Sequence, residues 1–244
     1  MLNDKVLVNQ NKIAMYIPPI VPKGSLVKMN LDGTEREYRV LSVNGNVCKV
    51  MGMFDDLTSV YNSTSTTIDF NGTKAQKYDS STLDTYLNTT WYNTLSTEAK
   101  SAIVPENVIQ YCYKYYDKPN TPNTPTYTYQ YQYNWKDSDY DNADNVGNVI
   151  VGNRNVFALD LKDIFDYLGK VYITSDELLF MFWNSTIKVS KHPWLRSSYA
   201  NASFAAWTVD GGRGCLADGP VTDFYVVRPA LNLNMSKIPY ELIS

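Results

Sequence analysis

The sequence has little of what most metal and acid–base sites require. Its 244 residues include one histidine and three cysteines, and charged residues make up only 19%. The cysteines, Cys48, Cys112 and Cys215, stand far apart without a CxxC pair. This argues against a zinc site and a secreted disulfide framework and favours buried free thiols. A histidine-based triad would have to use His192, which we expect to pack or cap because Pro and Trp follow it.

Long apolar runs and charge of one sign are also missing. No stretch approaches the roughly 20 apolar residues of a membrane helix. The opening Met-Leu-Asn-Asp-Lys lacks the basic and apolar regions of a signal peptide. The net charge is −3 with both signs interspersed, which gives no electrostatic footprint for nucleic acid or an anionic membrane. We therefore expect a protein made in a cytoplasm, with no nucleic-acid partner and no membrane insertion.

Tyrosine, by contrast, is abundant, with 20 copies, and 44% of the residues are hydrophobic. That apolar content is enough for a sizeable core. Surfaces rich in Tyr, Asn and Ser are typical of antibody-like recognition sites. An AT-rich genome would produce the same composition, so composition leaves both explanations open.

The first half of the chain combines strand and helix signals. Residues 1–23 end in a proline-rich stretch, which predicts an extended arm or linker, with a frayed terminus as the alternative. Asp-Gly and Asn-Gly turns separate three expected antiparallel strands. These strands are predicted at Leu26–Leu31, Glu37–Val43 and Val47–Met53. Capping patterns at Ser81 and Ser96 then predict two short helices.

Residues 111–148 form a zone rich in tyrosine and proline, which we interpret as an insertion. Its acidic run at 137–144 is spaced somewhat like a calcium loop, but it lacks the glycine and the final glutamate of an EF-hand. A solvated loop is therefore favoured, and no metal or cofactor is expected. After the insertion, Asp160 is a plausible helix cap with Gly169 as the stop, and a capping box at 174–177 opens another short helix. Few, short helices among strands indicate the α+β class.

The most informative part of the chain is its C-terminal third. Three pieces stand out there: Trp194–Ser197, Ala205–Gly212 and Val227–Leu233. We expect a strand at 205–209, a turn at 210–212, a return segment at 215–219 and a buried strand at 225–227. Trp194 and Trp207 are expected to anchor the core. Arg196 and Arg228, both in apolar surroundings, are expected to make buried hydrogen bonds to carbonyls or carboxylates.

These pieces resemble the C-type-lectin-like domain family of phage and gut-bacterial proteins, whose domains carry a WLRS…VRPAL pattern. That family is related to the variable proteins of diversity-generating retroelements. The resemblance covers about residues 24–233, interrupted by the insertion, and position 227 is Val where the family usually has Gly. It implies an α+β, C-type-lectin-like fold of the formylglycine-generating-enzyme variant, with short helices around antiparallel sheets. The domain would span 24–236, followed by a C-terminal tail at 237–244.

The resemblance also implies a ligand-binding face between the WLRS and VRPAL segments. Carried onto this chain, the face consists of Tyr199, Asn201, Ser203, Trp207, Asp210, Arg213, Asp218, Thr222, Asp223 and Tyr225. Aromatic and polar residues in this mixture suit a protein or glycan receptor. The alternative is that about half of them only occupy solvent-facing turns.

No catalytic constellation emerges from the sequence. The three cysteines do not reproduce the cysteine pair of formylglycine-generating enzymes, so that activity is not carried over. Residues 211–214 lack the GK[ST] ending of a phosphate loop and are better interpreted as a turn. A carboxylate pair for glycoside hydrolysis is not singled out. We therefore expect a protein that is not an enzyme.

Three functions follow as hypotheses. The first is a virion-associated receptor-binding or adhesion module at a phage tail or fibre, built as a homo-oligomer. It would bind a host cell-surface protein or glycan and attach to other virion proteins through residues 1–23. The second is a capsid or tail decoration protein that uses the same fold for packing. The third is an unrecognised hydrolase of surface glycans.

Overall fold

The computed structural model describes residues 21–113, 145–169, 175–183, 192–200, 202–210 and 215–243. The expected arm lies outside these ranges except for residues 21–23. Most of the insertion, including its acidic run at 137–144, also lies outside them, as do the turn at 211–214 and the start of the capping box at 174.

Strands and short helices follow one another in separate runs along the described chain, which confirms the α+β class. The helices are α1 (Thr82–Thr85), α2 (Tyr92–Thr94), α3 (Thr97–Ala102), α4 (Leu161–Leu168) and α5 (Ser175–Phe182). A π-helical turn, Tyr86–Trp91, joins α1 to α2, and a 3-10 turn covers Met235–Lys237. The strands are β1 (Leu26–Asn30), β2 (Glu35–Asn44), β3 (Val47–Gly52), β4 (Thr58–Ser59), β5 (Thr67–Phe70), β6 (Thr73–Gln76), β7 (Glu106–Tyr113), β8 (Asn145–Arg154), β9 (Trp194–Tyr199), β10 (Ala205–Asp210), β11 (Cys215–Pro220), β12 (Tyr225–Val226), β13 (Ala230–Asn234) and β14 (Glu241–Ile243).

A first sheet, ordered β13-β3-β2-β1-β14, is built from the two ends of the described chain. The three strands expected at 26–53 are confirmed as its centre. Asn44 pairs with Val47, so the two residues of that hairpin loop are Gly45 and Asn46. Residues 237–244 are not only a tail as predicted, because β14 pairs with β1 from Leu26↔Ile243 to Lys28↔Glu241 and extends the sheet.

A second sheet, ordered β11-β10-β9-β7-β8, carries the C-terminal motifs. Its neighbouring strands are antiparallel except for β7 and β9, which pair in parallel at Cys112↔Ser198 and Tyr113↔Tyr199. The predicted boundaries of the insertion are too wide. Residues 111–113 end β7 and residues 145–148 begin β8, and the two strands pair with each other.

The helix caps follow the sequence signals. Oγ of Ser81 accepts from the N–H of Asp84, and Oγ of Ser96 accepts from the N–H of Ala99, at 3.0 Å each. Asp160 and Asp163 form a capping box at the start of α4. Gly169 ends that helix at φ +66°, a conformation that glycine adopts without a Cβ penalty.

One buried cluster contains side chains from both sheets and from the helices. Trp194 and Trp207 are among its largest fully buried members, which confirms both as core anchors. The ring of Phe157 lies 5.4 Å from Nζ of Lys49 in β3 and 5.7 Å from the guanidinium of Arg196 in β9. The segment before α4 therefore packs between the two sheets.

Candidate functional site

The ten residues predicted for the ligand-binding face do not form one surface. Asn201 and Arg213 lie outside the described residues. Tyr199 is 8% exposed and Trp207 is fully buried, so placing them on the face is wrong. Their rings pack edge to face at 5.3 Å, and Nε1 of Trp207 donates to the carbonyl of Tyr113 at 3.3 Å. The cause is the position of β9 and β10, since central strands of a covered sheet bury both faces.

Asp210 is separated from the remaining predicted residues by the length of a hairpin. It pairs with Cys215 at one end of β10 and β11, whereas Ala205 pairs with Pro220 at the other end. Five residues of strand span about 16 Å. Asp210 therefore belongs to a different part of the surface.

The other five predicted residues gather around the Ala205–Pro220 end of this hairpin. With two phenylalanines they make up what we call the 203–225 face. Its members are Ser203, Phe204, Asp218, Thr222, Asp223, Phe224 and Tyr225. Backbone hydrogen bonds join its segments: the N–H of Val221 donates to the carbonyl of Phe204, and the N–H of Asn62 to the carbonyl of Val221, both at 2.9 Å.

Tyr225 is the fixed centre of the 203–225 face. Its ring packs against that of Trp194 with centroids 4.6 Å apart and a tilt of 32°, and it lies 5.4 Å from the ring of His192. It also covers Gly219, where a Cβ would come within 2.3 Å of the tyrosine ring. Burial raises the pKa of Tyr225, and the carboxylates of Asp223 and Asp218 raise it further. The half-buried phenol therefore stays protonated and can donate a hydrogen bond beside two carboxylates.

Two phenylalanines on this face were missed by the sequence analysis. Phe204 is 61% exposed and Phe224 is 75% exposed, although neighbours such as Ala205 and Val226 are buried. No periodicity distinguishes them, because both lie in short loops rather than in strands. Their exposure depends on tertiary structure alone.

A buried amide supports the face from beneath. The side chain of Gln76 is fully buried, and its Nε2 donates to the carbonyl of Ser203 and to Oγ of Ser65. Its Oε1 accepts from Nδ2 of Asn62 at 2.8 Å. Because Asn62 also holds Val221, the same pair fixes both backbone segments that carry the phenylalanines.

Most of the buried charges lie elsewhere and are engaged in ion pairs. Arg196 donates to Oδ2 of Asp163 at 2.7 Å, and Nζ of Lys49 reaches the other oxygen of that carboxylate at 3.1 Å. Arg154 binds Asp84 through two nitrogens. Arg228 donates to Asp55 at 2.8 Å, which confirms the expected buried hydrogen bonds of both C-terminal arginines.

Other site chemistries find little support in the described ranges. No group of three or more His, Cys, Asp or Glu side chains there is arranged to hold a metal ion. Cys48 and Cys112 are buried free thiols, and burial raises the pKa of Cys112 to about 12. None of the helices described is long and apolar enough to cross a membrane.

Comparison with known proteins places the chain in a family without naming an activity. No curated protein and no solved structure matches it. The family match begins at residue 57, after β3, and ends at residue 235, after β13. The chain belongs to the family described as a domain of unknown function (DUF6273), which matches its residues 57–235.

Proposed function

We propose that this chain is a non-enzymatic binding protein with a C-type-lectin-like fold, and that the 203–225 face is where it meets its ligand. The fold assignment is supported by the WLRS and VRPAL motifs, which lie in β9 and around the start of β13. It is also supported by the few short helices beside two five-stranded sheets. The proposed ligand is a cell-surface protein or glycan.

The observation that carries this proposal is the exposure of Phe204 and Phe224 next to a rigid polar centre. Burying a phenylalanine side chain contributes about 1.5–3 kcal/mol, so burial of the two exposed rings in an interface would contribute strongly to binding. Hot spots in interfaces are typically aromatic anchors surrounded by polar groups. Here Tyr225 and the carboxylate of Asp223 supply hydrogen bonding beside the exposed rings.

The biological setting in which the protein would bind its ligand is proposed from the family resemblance alone. We propose that the protein is part of a virion, as a homo-oligomeric module of a phage tail or fibre. Residues 1–23 would contact other virion proteins. Neighbouring tail genes would support this location, and neighbouring head genes would support the decoration protein.

The test is binding of the purified chain to cells of candidate hosts, with Phe204→Ala and Phe224→Ala as the variants. We expect each variant to weaken binding about ten- to a hundredfold, because each loses the burial of one ring. Leu242→Ala is the matched control, since Leu242 is 51% exposed on β14 in the other sheet. It should bind like the wild type.

Three outcomes would contradict the proposal. Equal binding by all variants would exclude the 203–225 face. Binding of the wild type to virus particles but to no host cell would favour the decoration protein. Turnover of a surface glycan that one carboxylate substitution abolishes would instead show an enzyme.

A further inference from the structure

A second concave surface lies on elements separate from those of the 203–225 face. It is an open groove of about 570 Å³, within the size range of ligand sites. Three elements line it: the approach to β1, the end of α4 and the middle of α5. The lining residues are Lys23, Gly24, Ser25, Tyr167, Leu168 and Phe180.

The groove has an aromatic wall that is held in place from below. Phe180 is 61% exposed, and the guanidinium of Arg39 lies 4.7 Å from its ring centroid. Arg39 also donates to the carbonyl of Gly24 at 2.8 Å and to the carbonyl of Trp183 at 2.7 Å. The arginine therefore fixes an exposed ring relative to the backbone of the opposite wall.

One cation, Lys23, lines the groove, and a second, Arg39, lies beneath the ring of Phe180. Nζ of Lys23 lies 5.2 Å from the ring centroid of Tyr167 and 3.4 Å from the carbonyl of Asp166. Arg39 is 4% exposed, and its Nε has no hydrogen-bond partner. Within the described ranges neither cation lies within ion-pair distance of a carboxylate. The carboxylate of Asp166 is instead held by Lys162 at 3.0 Å.

Together these features fit a ring that carries a negative charge. The apolar C–H face of a sugar ring can pack on Phe180, while an anionic substituent pairs with Lys23. The last carbonyls of a helix lack intrahelical partners, so the end of α4 offers acceptors for hydroxyl groups. The Tyr167 hydroxyl lies beside Gly24, since a Cβ at Gly24 would be in van der Waals contact with that oxygen at 3.5 Å.

We propose that this groove binds an anionic sugar, a monosaccharide unit bearing a carboxylate or a phosphate. The ring packs on Phe180 and the anion pairs with the ammonium group of Lys23. Arg39 acts as a positioning residue and adds positive potential beneath the ligand.

The experiment measures binding of four probes to the full chain by ligand-observed NMR and calorimetry. N-acetylneuraminic acid and glucuronic acid supply a carboxylate, glucose 6-phosphate supplies a phosphate, and glucose is the neutral control. At least one charged probe should bind in the millimolar range or better and more tightly than glucose. The more tightly bound probe then identifies the anion.

Two variants test the contacts. Phe180→Ala should weaken binding of the charged probe about two- to tenfold, since a packed aromatic ring contributes about 0.5–1.5 kcal/mol. Lys23→Gln should weaken it about fivefold while binding of glucose is unchanged, as expected for one exposed charge pair. Both side chains are exposed, so thermal unfolding should show that the variants remain folded.

The controls separate this site from the 203–225 face. Lys28→Gln removes a partly exposed cation of β1 that pairs with Glu35, and it should bind the probes like the wild type. Phe224→Ala should also leave probe binding unchanged, whatever it does to binding of cells. The proposal is overturned if no charged probe binds, if glucose binds equally well, or if Phe180→Ala and Lys23→Gln bind like the wild type.

Discussion

At the scale of single residues, Arg196 links the two sheets through α4. Its guanidinium donates to the carbonyls of Ile109 and Ala158 at 2.8 and 2.7 Å and to Asp163, which also binds Lys49 of the first sheet. Burial alone would raise the pKa of Asp163, but Arg196 and Lys49 hold it well below its ordinary value. Asp163 therefore stays ionised, and its charge is compensated from both sheets.

Removing Arg196 should be costly. Arg196→Met leaves the buried carboxylate of Asp160 without its cation and that of Asp163 with Lys49 alone, which we expect to lower the free energy of unfolding by about 3–5 kcal/mol. Arg196→Lys should recover only part of this loss, because an ammonium group cannot reproduce the fork of hydrogen bonds. Urea denaturation measures both effects.

The matched control for Arg196 is Lys162→Gln, which removes an exposed pair with Asp166 on the same helix, α4. Its expected cost is below about 0.5 kcal/mol. If Arg196→Met cost no more than Lys162→Gln, the ion-pair network would not hold the sheets together.

At the scale of elements, the β10–β11 hairpin and Tyr225 form one packed unit. Gly219 of β11 pairs with Ala206 of β10, and the tyrosine ring covers the glycine on its way to Trp194. Because no side chain fits at position 219, the ring of Tyr225 packs directly on the backbone of the edge strand β11. This contact joins the sheet edge to the 203–225 face. This makes Gly219 a test of how the face is built.

Gly219→Ala should displace Tyr225, because the added Cβ would meet a ring already pressed against Trp194. Crowding of this kind costs about 1–3 kcal/mol. The indole N–H resonance of Trp194, which donates to the carbonyl of Ser59 at 3.0 Å, should shift in the NMR spectrum. Ala217→Ser, two residues earlier in the same strand, is the control and should leave that resonance in place; an unchanged resonance in Gly219→Ala would contradict the packing described.

Elements with strong local signals were predicted from the sequence, and those set by long-range contacts were not. Turn and cap residues identified β1 to β3, α3 and α4, because their signals act within a few residues. Asn71-Gly72 is an equally strong turn, with φ +52° and +89° between β5 and β6, and its signal went unused. The parallel pairing of β7 with β9 and the addition of β14 to β1 depend on distant segments and leave no local pattern.

The same contrast between local signals and long-range contacts explains which residues of the candidate face were predicted and which were missed. The resemblance put Asp223, Tyr225 and Trp207 on one face. Asp223 and Tyr225 lie near the end of the β10–β11 hairpin, whereas Trp207 is buried because both sides of β10 are covered. Phe204 and Phe224 were missed for the opposite reason. Apolar residues in loops are expected to be buried or incidental, and only the packed structure shows that they are exposed.

At the scale of the whole molecule, the region matched by the family is shorter than the folded structure. The match starts at residue 57, yet β3 pairs with β13 from Ala230↔Met51 to Asn234↔Val47. The first sheet therefore joins residues before the matched region to its last strand. One of the two proposed binding sites, the groove, includes Lys23, which precedes the matched region. The other, the 203–225 face, lies within the matched region.

The central claim is that the 203–225 face meets a ligand on the host surface. Hydroxyl-radical footprinting of the full chain, with and without envelopes of a host to which it binds, tests this residue by residue. We expect bound envelopes to reduce oxidation of Phe204, Phe224 and Tyr225 and to leave Leu242 unchanged. Undiminished oxidation of Phe204 and Phe224 in the bound state would contradict the account.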